Sequence, residues 1–417
     1  MILNGEKSSQ FFVNRLEPAQ KIYSLSTAFI PMLLLAFHVA VFLAKLAFAK
    51  KQPDDTTTGP TTPAHILVGF PKHISVADRV QGFPFSIDKE VTGIPSWMTL
   101  SYPNFLYAVD ESSSVLTLYE INLVSEEITA KSVKQGSSGV VHLQFNTDNT
   151  RLIGCAYGNG TIDIWNTTNG SLELIKTIPS PGQPGPDKER QASPHPHQAN
   201  LDPTGRFFVI NDLGTDSIVV LDSNDDAFQI VNIIHISPQG CGPRHGVFFP
   251  QGAFRATHYI LVCEISNKVL IYTVSYRENS LDLTQIQSTS TFGRELPPAN
   301  SSSAAAGAIV LAANNRHLYV SNRQTGNSTD SVSHFEISHL NSTFLSLRFV
   351  GSASTYGISP RMMSFSHGDR YLLIANQAGG FGLVALERRL DGTLDAEKPI
   401  SVLGGPDFTP QFVQQIT

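Results

Sequence analysis

A hairpin pattern that recurs about every fifty residues most constrains the fold of this 417-residue chain. Each unit has a short apolar strand, a turn rich in Gly, Pro, Asp or Asn, and a second apolar strand. The first strands end near Leu100, Phe145, Leu201, Phe248, Leu311 and Phe365. A repeat of this length with several short strands is typical of the blades of a β-propeller.

Most units continue into a third strand. These third strands are predicted at residues 115–119, 162–165, 218–221, 269–273, 334–337 and 382–386. The N-terminal strand at 65–70 and a C-terminal strand near 410–415 have no partner within the six units. Pairing these two strands would close a seventh blade and remove two exposed sheet edges. The sequence therefore predicts an all-β protein, a seven-bladed β-propeller formed by residues 64–417.

An apolar segment precedes the predicted propeller. Residues 28–49 are apolar apart from His38 and Lys45, and they end in the small-x-small pattern of a signal-peptide cleavage site. We expect residues 1–49 to be a signal peptide or signal anchor. Residues 50–63, rich in Asp, Thr and Pro, should form a disordered linker. The sequence does not decide whether the leader is cleaved. The alternative is that the apolar segment is a buried helix of the domain.

Asn-x-Ser/Thr triplets support entry into the secretory pathway. Six follow the leader, at Asn159, Asn166, Asn169, Asn300, Asn327 and Asn341. Each triplet alone is a weak signal, but six behind an apolar leader favour export and N-glycosylation. We therefore expect the propeller outside the cytosol, either secreted or anchored to the membrane through residues 28–49.

The composition excludes several classes of function. Charged residues make up 15% of the chain and the net charge is −6, so the basic stripe of a nucleic-acid-binding protein is absent. The three cysteines allow one disulfide at most; Cys241 and Cys263 could form it, but their spacing does not decide. The sequence has no Cys-x-x-Cys motif that would indicate structural zinc. We expect no cofactor and a monomer.

Polar residues cluster at one end of the predicted hairpins. In every unit the start of the first strand and the end of the second lie at the same hairpin end. In a propeller, these ends share one face near the axis. This face would carry Asp110, Glu111, His195, His197, Asp212, Arg244, His245, Glu264, Arg323, Arg361 and Asn376. A one-sided group of acids, bases and guanidinium groups is a candidate site.

Four motifs resemble those of a known family. They are the stretch His195-Pro-His-Gln-Ala-Asn-Leu-Asp-Pro-Thr-Gly205, Gly242-Pro-Arg-His245, Ser321-Asn-Arg323 and Ser359-Pro-Arg361. In order and spacing they resemble the seven-bladed lactonase family, which includes 6-phosphogluconolactonase-like proteins and the fungal carboxy-cis,cis-muconate cyclases. The resemblance covers about residues 64–417 and implies a propeller enzyme that opens or forms a small anionic lactone.

The resemblance to the cyclases also implies a catalytic set, His197, Arg244, Glu264 and Arg323. Arginines bind carboxylate or phosphate groups with two parallel hydrogen bonds and stabilise developing negative charge. His197 and Glu264 would exchange protons as general acid and base. The residues expected to bind the substrate are His195, Asp212, His245, Arg361 and Asn376. The substrate would be a lactone or an unsaturated acid, and hydrolysis and cyclisation are both left open.

Each assignment has a structural alternative. Arg244 and Glu264 could form a purely structural salt bridge, and His197 could be a buried histidine that links two blades. Arg323 and Arg361 could each bind backbone carbonyls in the channel. His195 and His197 could instead bind a metal with Asp212. A propeller without catalytic activity, binding a small molecule or a protein, is the alternative for the whole chain.

Overall fold

The computed structural model describes residues 64–293, 297–341, 344–405 and 407–417. The predicted leader and linker at residues 1–63 lie outside this part of the chain. Within the described residues, none of the helices has the length and apolar character needed to cross a membrane.

The described residues form seven four-stranded antiparallel sheets, which are the blades. In each blade the innermost strand is named first and the outermost last. Blade one contains β28 (Phe412–Gln415), β1 (Ile66–Phe70), β2 (His73–Ala77) and β3 (Phe85–Glu90). Blade two contains β4 (Met98–Ser101), β5 (Phe105–Val109), β6 (Val115–Asn122) and β7 (Glu127–Gln135). Blade three contains β8 (Val140–Phe145), β9 (Arg151–Ala156), β10 (Thr161–Asn166) and β11 (Glu173–Pro179).

The other four blades follow in chain order. Blade four contains β12 (Pro196–Leu201), β13 (Phe207–Asp212), β14 (Ser217–Asp222) and β15 (Gln229–His235). Blade five contains β16 (Pro243–Phe249), β17 (His258–Cys263), β18 (Lys268–Tyr276) and β19 (Leu281–Ser290). Blade six contains β20 (Ala305–Leu311), β21 (His317–Arg323), β22 (Ser331–Asn341) and β23 (Phe344–Ser354). Blade seven contains β24 (Ile358–Phe365), β25 (Tyr371–Ala378), β26 (Leu383–Glu387) and β27 (Ser401–Leu403).

Three single-turn 3₁₀ helices are also present in the described residues. They span Thr168–Gly170, Asn224–Asp226 and His367–Asp369.

The ring closes through the two ends of the propeller, as the sequence predicts. Strand β28 pairs antiparallel with β1, with Ile66 opposite Gln415 and Gly69 opposite Phe412. The inner strands contact one another around the ring, from β28 through β24, β20, β16, β12 and β8 to β4. Between blades two and one, the rings of Trp97 and Phe412 lie 5.7 Å apart. The predicted seven-bladed architecture is confirmed.

The hydrophobic core lies between neighbouring blades. One cluster of buried side chains joins blades three and four, and another joins blades five and six. All residues of β13 and β14 are buried, because the blades on either side cover both faces of these middle strands. This explains why the second and third strands are continuous apolar runs in the sequence.

The predicted turn between β12 and β13 owes its shape to Asp202. Its carboxylate accepts hydrogen bonds from the amides of Thr204 and Phe207, at 2.9 and 2.7 Å. Gly205 has a φ of +79°, which a residue with a side chain rarely adopts. The Asp-Pro-Thr-Gly sequence therefore forms a tight turn, and the two strands it joins return antiparallel.

Cys241 and Cys263 form a disulfide, which settles the pairing that the sequence leaves open. Cys263 directly precedes Glu264, and Cys241 lies three residues before Arg244. The disulfide thus connects the two backbone segments that carry these charged residues. Cys155, the third cysteine, is buried and free.

Candidate active site

β-Bulges place three of the candidate side chains in the inner strands. In blade four, Pro196 pairs with Asp212 and Gln198 with Asn211, which leaves His197 as the extra residue. The same irregularity leaves Arg244 extra in β16 and Arg361 extra in β24. A bulge changes the direction of the side chain at the extra residue, and bulges are common next to active sites. Three blades thus each present one bulged residue from an inner strand.

The centre of the site is the carboxylate of Glu264, which follows β17. Its Oε2 atom lies 2.8 Å from Nε of Arg244 and 2.6 Å from Nη2 of Arg323. Its Oε1 atom accepts a hydrogen bond from Nη2 of Arg190. The Arg244 side chain is only 2% exposed, whereas those of Glu264 and Arg323 are 13% and 11% exposed. Water therefore reaches the edge of this cluster but not its base.

A second ion pair lies beside the first cluster. Nη2 of Arg361 lies 2.5 Å from Oε2 of Glu111. Burial is the largest cause that lowers the pKa of Arg244 and of His197, and the positive charge of nearby Arg361 adds to it. In these ion pairs four arginines face two glutamates, so the site carries a net charge of +2 while its histidines are neutral. This charge favours an anionic ligand.

Histidine and aromatic rings form the rest of the site. The rings of His197 and His245 lie 5.1 Å apart, and those of His142 and His245 lie 6.1 Å apart. Trp97 contacts His142 at 4.1 Å between ring centroids, and Tyr157 contacts His197 at 5.9 Å. In the described structure Nδ1 of His197 is buried and has no hydrogen-bond partner. This ring nitrogen is therefore an unsatisfied polar atom inside the site.

The electrostatic surroundings determine the charge state of these groups. Burial opposes ionisation of Glu264, but the positive charges of Arg323 and Arg244 overcome it and hold its pKa well below the usual range. Burial, reinforced by Arg244, lowers the pKa of His197 well below 6.5. The same two causes lower the pKa of His142 to about 3. At neutral pH the site therefore contains an ionised carboxylate and neutral imidazoles.

We expect the free energy of unfolding to fall as the pH drops from about 6.5 to 4.5. Burial lowers the pKa of His258 and of His334 to about 4, and that of His142 to about 3. The unfolded chain would bind protons at the ordinary histidine pKa while the folded chain stays unprotonated, so protons favour unfolding in this window. Calorimetry between pH 8 and 4.5 measures the effect. His142→Phe should reduce the pH dependence, and a constant Tm would contradict this account.

The other residues expected to bind the substrate have different surroundings. The ring of His195 stacks on that of Tyr157 with 4.2 Å between centroids, and Nδ1 of His195 lies 2.7 Å from the backbone carbonyl oxygen of Tyr157. Asp212 is fully buried and accepts hydrogen bonds from backbone amides, including that of His195 at 2.8 Å. Asn376 is also fully buried and donates to the carbonyl oxygens of Thr355 and Phe381. Asp212 and Asn376 thus hold loops together and do not reach the open edge of the site.

The metal-binding alternative has no support in the arrangement of side chains. Among the described residues, no group of three or more His, Cys, Asp or Glu side chains could hold a metal ion. A β-bulge lies at His197, and the backbone amides of Gly214 and Thr215 donate hydrogen bonds to Oδ1 of Asp212.

The predicted glycosylation sites lie in several environments. Asn159, Asn169, Asn300 and Asn327 are exposed, and Asn166 is half-buried. The side chain of Asn341 lies outside the described part of the structure. Glycosylation remains a prediction.

The structure adds four residues that the sequence did not single out for function. Arg190, Tyr157, Trp97 and His142 all contact the site. Trp97 directly precedes β4, and His142 has the same place in β8 that His245 has in β16, so their position at the start of first strands could have identified them. Arg190 lies in the segment between blades three and four, where no pattern indicates its contact with blade five.

The comparison with family models decides the relationship. The model described as "Lactonase, 7-bladed beta-propeller" matches residues 86–395, which is most of the chain. The chain belongs to this family. The resemblance carried by the four sequence motifs is thus confirmed.

Individual relatives agree with this assignment. A protein of Arthroderma benhamiae, described as "Probable 6-phosphogluconolactonase", is 35% identical over 235 residues, or 55% of this chain and 57% of that protein. The match thus spans little more than half of that relative. The 6-phosphogluconolactonase of Bacillus subtilis is 26% identical over 302 residues. The match covers 71% of this lactonase-family chain and 80% of the Bacillus protein.

A solved structure shows the same fold. The periplasmic gluconolactonase of Pseudomonas aeruginosa superposes with a TM-score of 0.71 at 22% sequence identity. The superposition covers 85% of this chain and 99% of the other.

Proposed function

We propose that this protein is a lactone hydrolase of the 6-phosphogluconolactonase type, which opens a small anionic lactone to the hydroxy acid. One observation carries the proposal: a neutral, buried His197 with an unpartnered Nδ1 lies in a site of net charge +2 built around Glu264. Two relatives described as 6-phosphogluconolactonases support the choice of reaction.

His197 is the general base in this mechanism. A neutral imidazole at pH 7 can take a proton from a water molecule as that water attacks the lactone carbonyl. The tetrahedral intermediate then collapses, the ring C–O bond breaks, and the protonated His197 returns the proton to the leaving alkoxide. Because the pKa of His197 is low, its imidazole is unprotonated throughout the neutral range. The same low pKa makes this imidazole a weak base.

The arginines bind the anion and stabilise the transition state. Arg323 is partly exposed beside the carboxylate of Glu264, and it also donates a hydrogen bond of 3.2 Å to the carbonyl of Ala306. We assign it to the oxyanion that develops on the lactone carbonyl. Arg244 is nearly inaccessible and acts as a positioning residue for Glu264.

Glu264 has a different role from the proton exchange that the resemblance implies. Its ion pairs keep it ionised, so it is a poor proton donor near neutral pH. A carboxylate with such a low pKa is also a weak base. We therefore assign Glu264 to the orientation of the three arginines that contact it.

A panel of lactones tests the proposal. The purified protein is mixed with a phosphorylated aldonolactone, its unphosphorylated parent and a muconolactone, and ring opening is followed against the spontaneous rate. We expect hydrolysis of the phosphorylated aldonolactone, and a loss of about 10²–10³-fold in kcat for Arg323→Gln. Turnover of the muconolactone alone would favour cyclase chemistry. Binding of anions without turnover of any lactone would identify a non-catalytic propeller and refute the proposal.

A further inference from the structure

We propose that Arg190 is a specificity-determining residue that binds a second oxyanion on the substrate, away from the lactone carbonyl. This inference rests on the proposed lactonase function and specifies the substrate class further: a lactone that carries a phosphate or carboxylate group at another position. Arg190 belongs to residues 181–194, the segment between blades three and four, which we call the strap.

The strap is anchored to blade four through a buried glutamine. Gln191 is fully buried, and its Nε2 donates a hydrogen bond of 2.8 Å to the carbonyl of Leu213. Its Oε1 accepts a hydrogen bond from the amide of Asp187 at 3.2 Å. A Cβ atom at Gly185 would clash with the same Oε1, so a side chain there would displace the Gln191 amide from its hydrogen bonds. The residue next to Arg190 is therefore held in place.

A local turn also orders the backbone of Arg190. The Asp187 carboxylate accepts hydrogen bonds from the amides of Glu189 and Arg190, at 3.0 and 3.1 Å. The amide of Gln191 donates to the carbonyl of Asp187 at 2.8 Å. Because the backbone is already ordered, binding an anion at Arg190 would cost little further conformational entropy.

Arg190 lies on the solvent side of the arginine cluster. It contacts Oε1 of Glu264, whereas Arg244 and Arg323 contact Oε2. Its side chain is 32% exposed, compared with 2% for Arg244. Within the described residues, Glu264 is its only side-chain hydrogen-bond partner. Most of the five N–H donors of this guanidinium group are thus available to a ligand.

The charge of Arg190 is only partly neutralised. Three arginines share the single negative charge of Glu264, and Arg361 already has its own partner in Glu111. A guanidinium group in this state favours a planar or tetrahedral oxyanion that can accept two hydrogen bonds. Phosphate and carboxylate both have this chemistry. A neutral lactone has no group for this position.

Kinetics with matched lactones test the inference. We compare wild type with Arg190→Ala, Arg190→Lys and the control Lys188→Ala, which removes an exposed charge from the same strap. For a phosphorylated aldonolactone, Arg190→Ala should lower kcat/KM by about 10- to 100-fold, mainly through KM. For the unphosphorylated parent the loss should be threefold or less. With the phosphorylated lactone, kcat/KM of Arg190→Lys should lie between the values of wild type and Arg190→Ala. Lys188→Ala should match wild type with both lactones.

A lactone with a carboxylate in place of the phosphate identifies the preferred anion. A large loss for this lactone as well would show that Arg190 binds any oxyanion, whereas a small loss would assign it to phosphate. Equal losses for the charged and uncharged lactones would overturn the inference, because Arg190 would then act on the shared reacting group. Wild-type kinetics for Arg190→Ala would also overturn it.

A binding measurement separates this inference from the proposed function. Calorimetry with 6-phosphogluconate and gluconate needs no turnover. If no lactone is hydrolysed, the proposed function fails, but weaker binding of 6-phosphogluconate to Arg190→Ala than to Lys188→Ala would still support the anion site. Equal binding by these two variants would refute the anion site whether or not hydrolysis occurs.

Discussion

Replacing His197 with asparagine is expected to lower kcat for lactone hydrolysis by about 10²–10⁴-fold. Asparagine cannot take the proton of the attacking water, so the variant loses the general base. The Tm should change by no more than about 3 °C, because Nδ1 of His197 has no hydrogen bond to lose in the described structure. Single-turnover kinetics and calorimetry on the same preparation measure both quantities.

His258→Asn is the matched control. His258 is also fully buried, and its Nε2 also has no hydrogen-bond partner among the described residues. It begins β17, at the opposite end of that strand from Glu264. At a temperature well below its Tm this variant should keep its activity within about twofold, since His258 lies far from the proposed reacting groups. A small loss of kcat in His197→Asn, similar to that of the control, would mean that His197 is structural.

Replacing Glu264 with alanine is expected to lower the free energy of unfolding by about 3–5 kcal/mol. The change leaves Arg244, Arg323 and Arg190 close together without their shared counter-ion, and Arg244 cannot reach water because its side chain is 2% exposed. For a domain of this size we expect a fall in Tm of about 4–7 °C. Activity should be lost as well, because the arginines would separate.

Glu111→Ala provides the comparison for this loss of stability. The Glu111 side chain is 26% exposed, and its one ionic partner among the described residues is Arg361. Breaking such a partly solvated pair costs at most about 1 kcal/mol. If Glu264→Ala were no less stable than Glu111→Ala, the central carboxylate would not hold the arginine cluster together, and the assignment of Glu264 to a positioning role would be wrong.

Together these variants test the structural alternatives raised by the sequence. Arg244 and Glu264 do form a salt bridge, but Arg323 and Arg190 share it, so it is not an isolated pair within one hairpin. Arg323 does bind a backbone carbonyl, that of Ala306, in addition to Glu264. A loss of activity without a loss of stability, as expected for His197, would distinguish catalysis from structure.

The sequence by itself determined the architecture and the face on which the site lies. The repeat, its alternation of apolar runs and turns, and the two unpartnered end strands predict seven blades, because each of these features follows from local hydrogen bonding and burial. The Asp-Pro-Thr-Gly turn before Phe207 shows this at one hairpin. Even the gathering of His197, Arg244, Glu264 and Arg323 at one hairpin end follows from the repeat.

The tertiary structure alone decided how those side chains meet. The bulges at His197, Arg244 and Arg361 add one residue to a strand, and no local pattern predicts them because they depend on the packing of neighbouring blades. The contact between Arg190 and Glu264 crosses from the strap to another blade, 74 residues apart in sequence. The charge states of the histidines and of Glu264 also depend on the tertiary structure, since burial and neighbouring charges exist only in the folded protein.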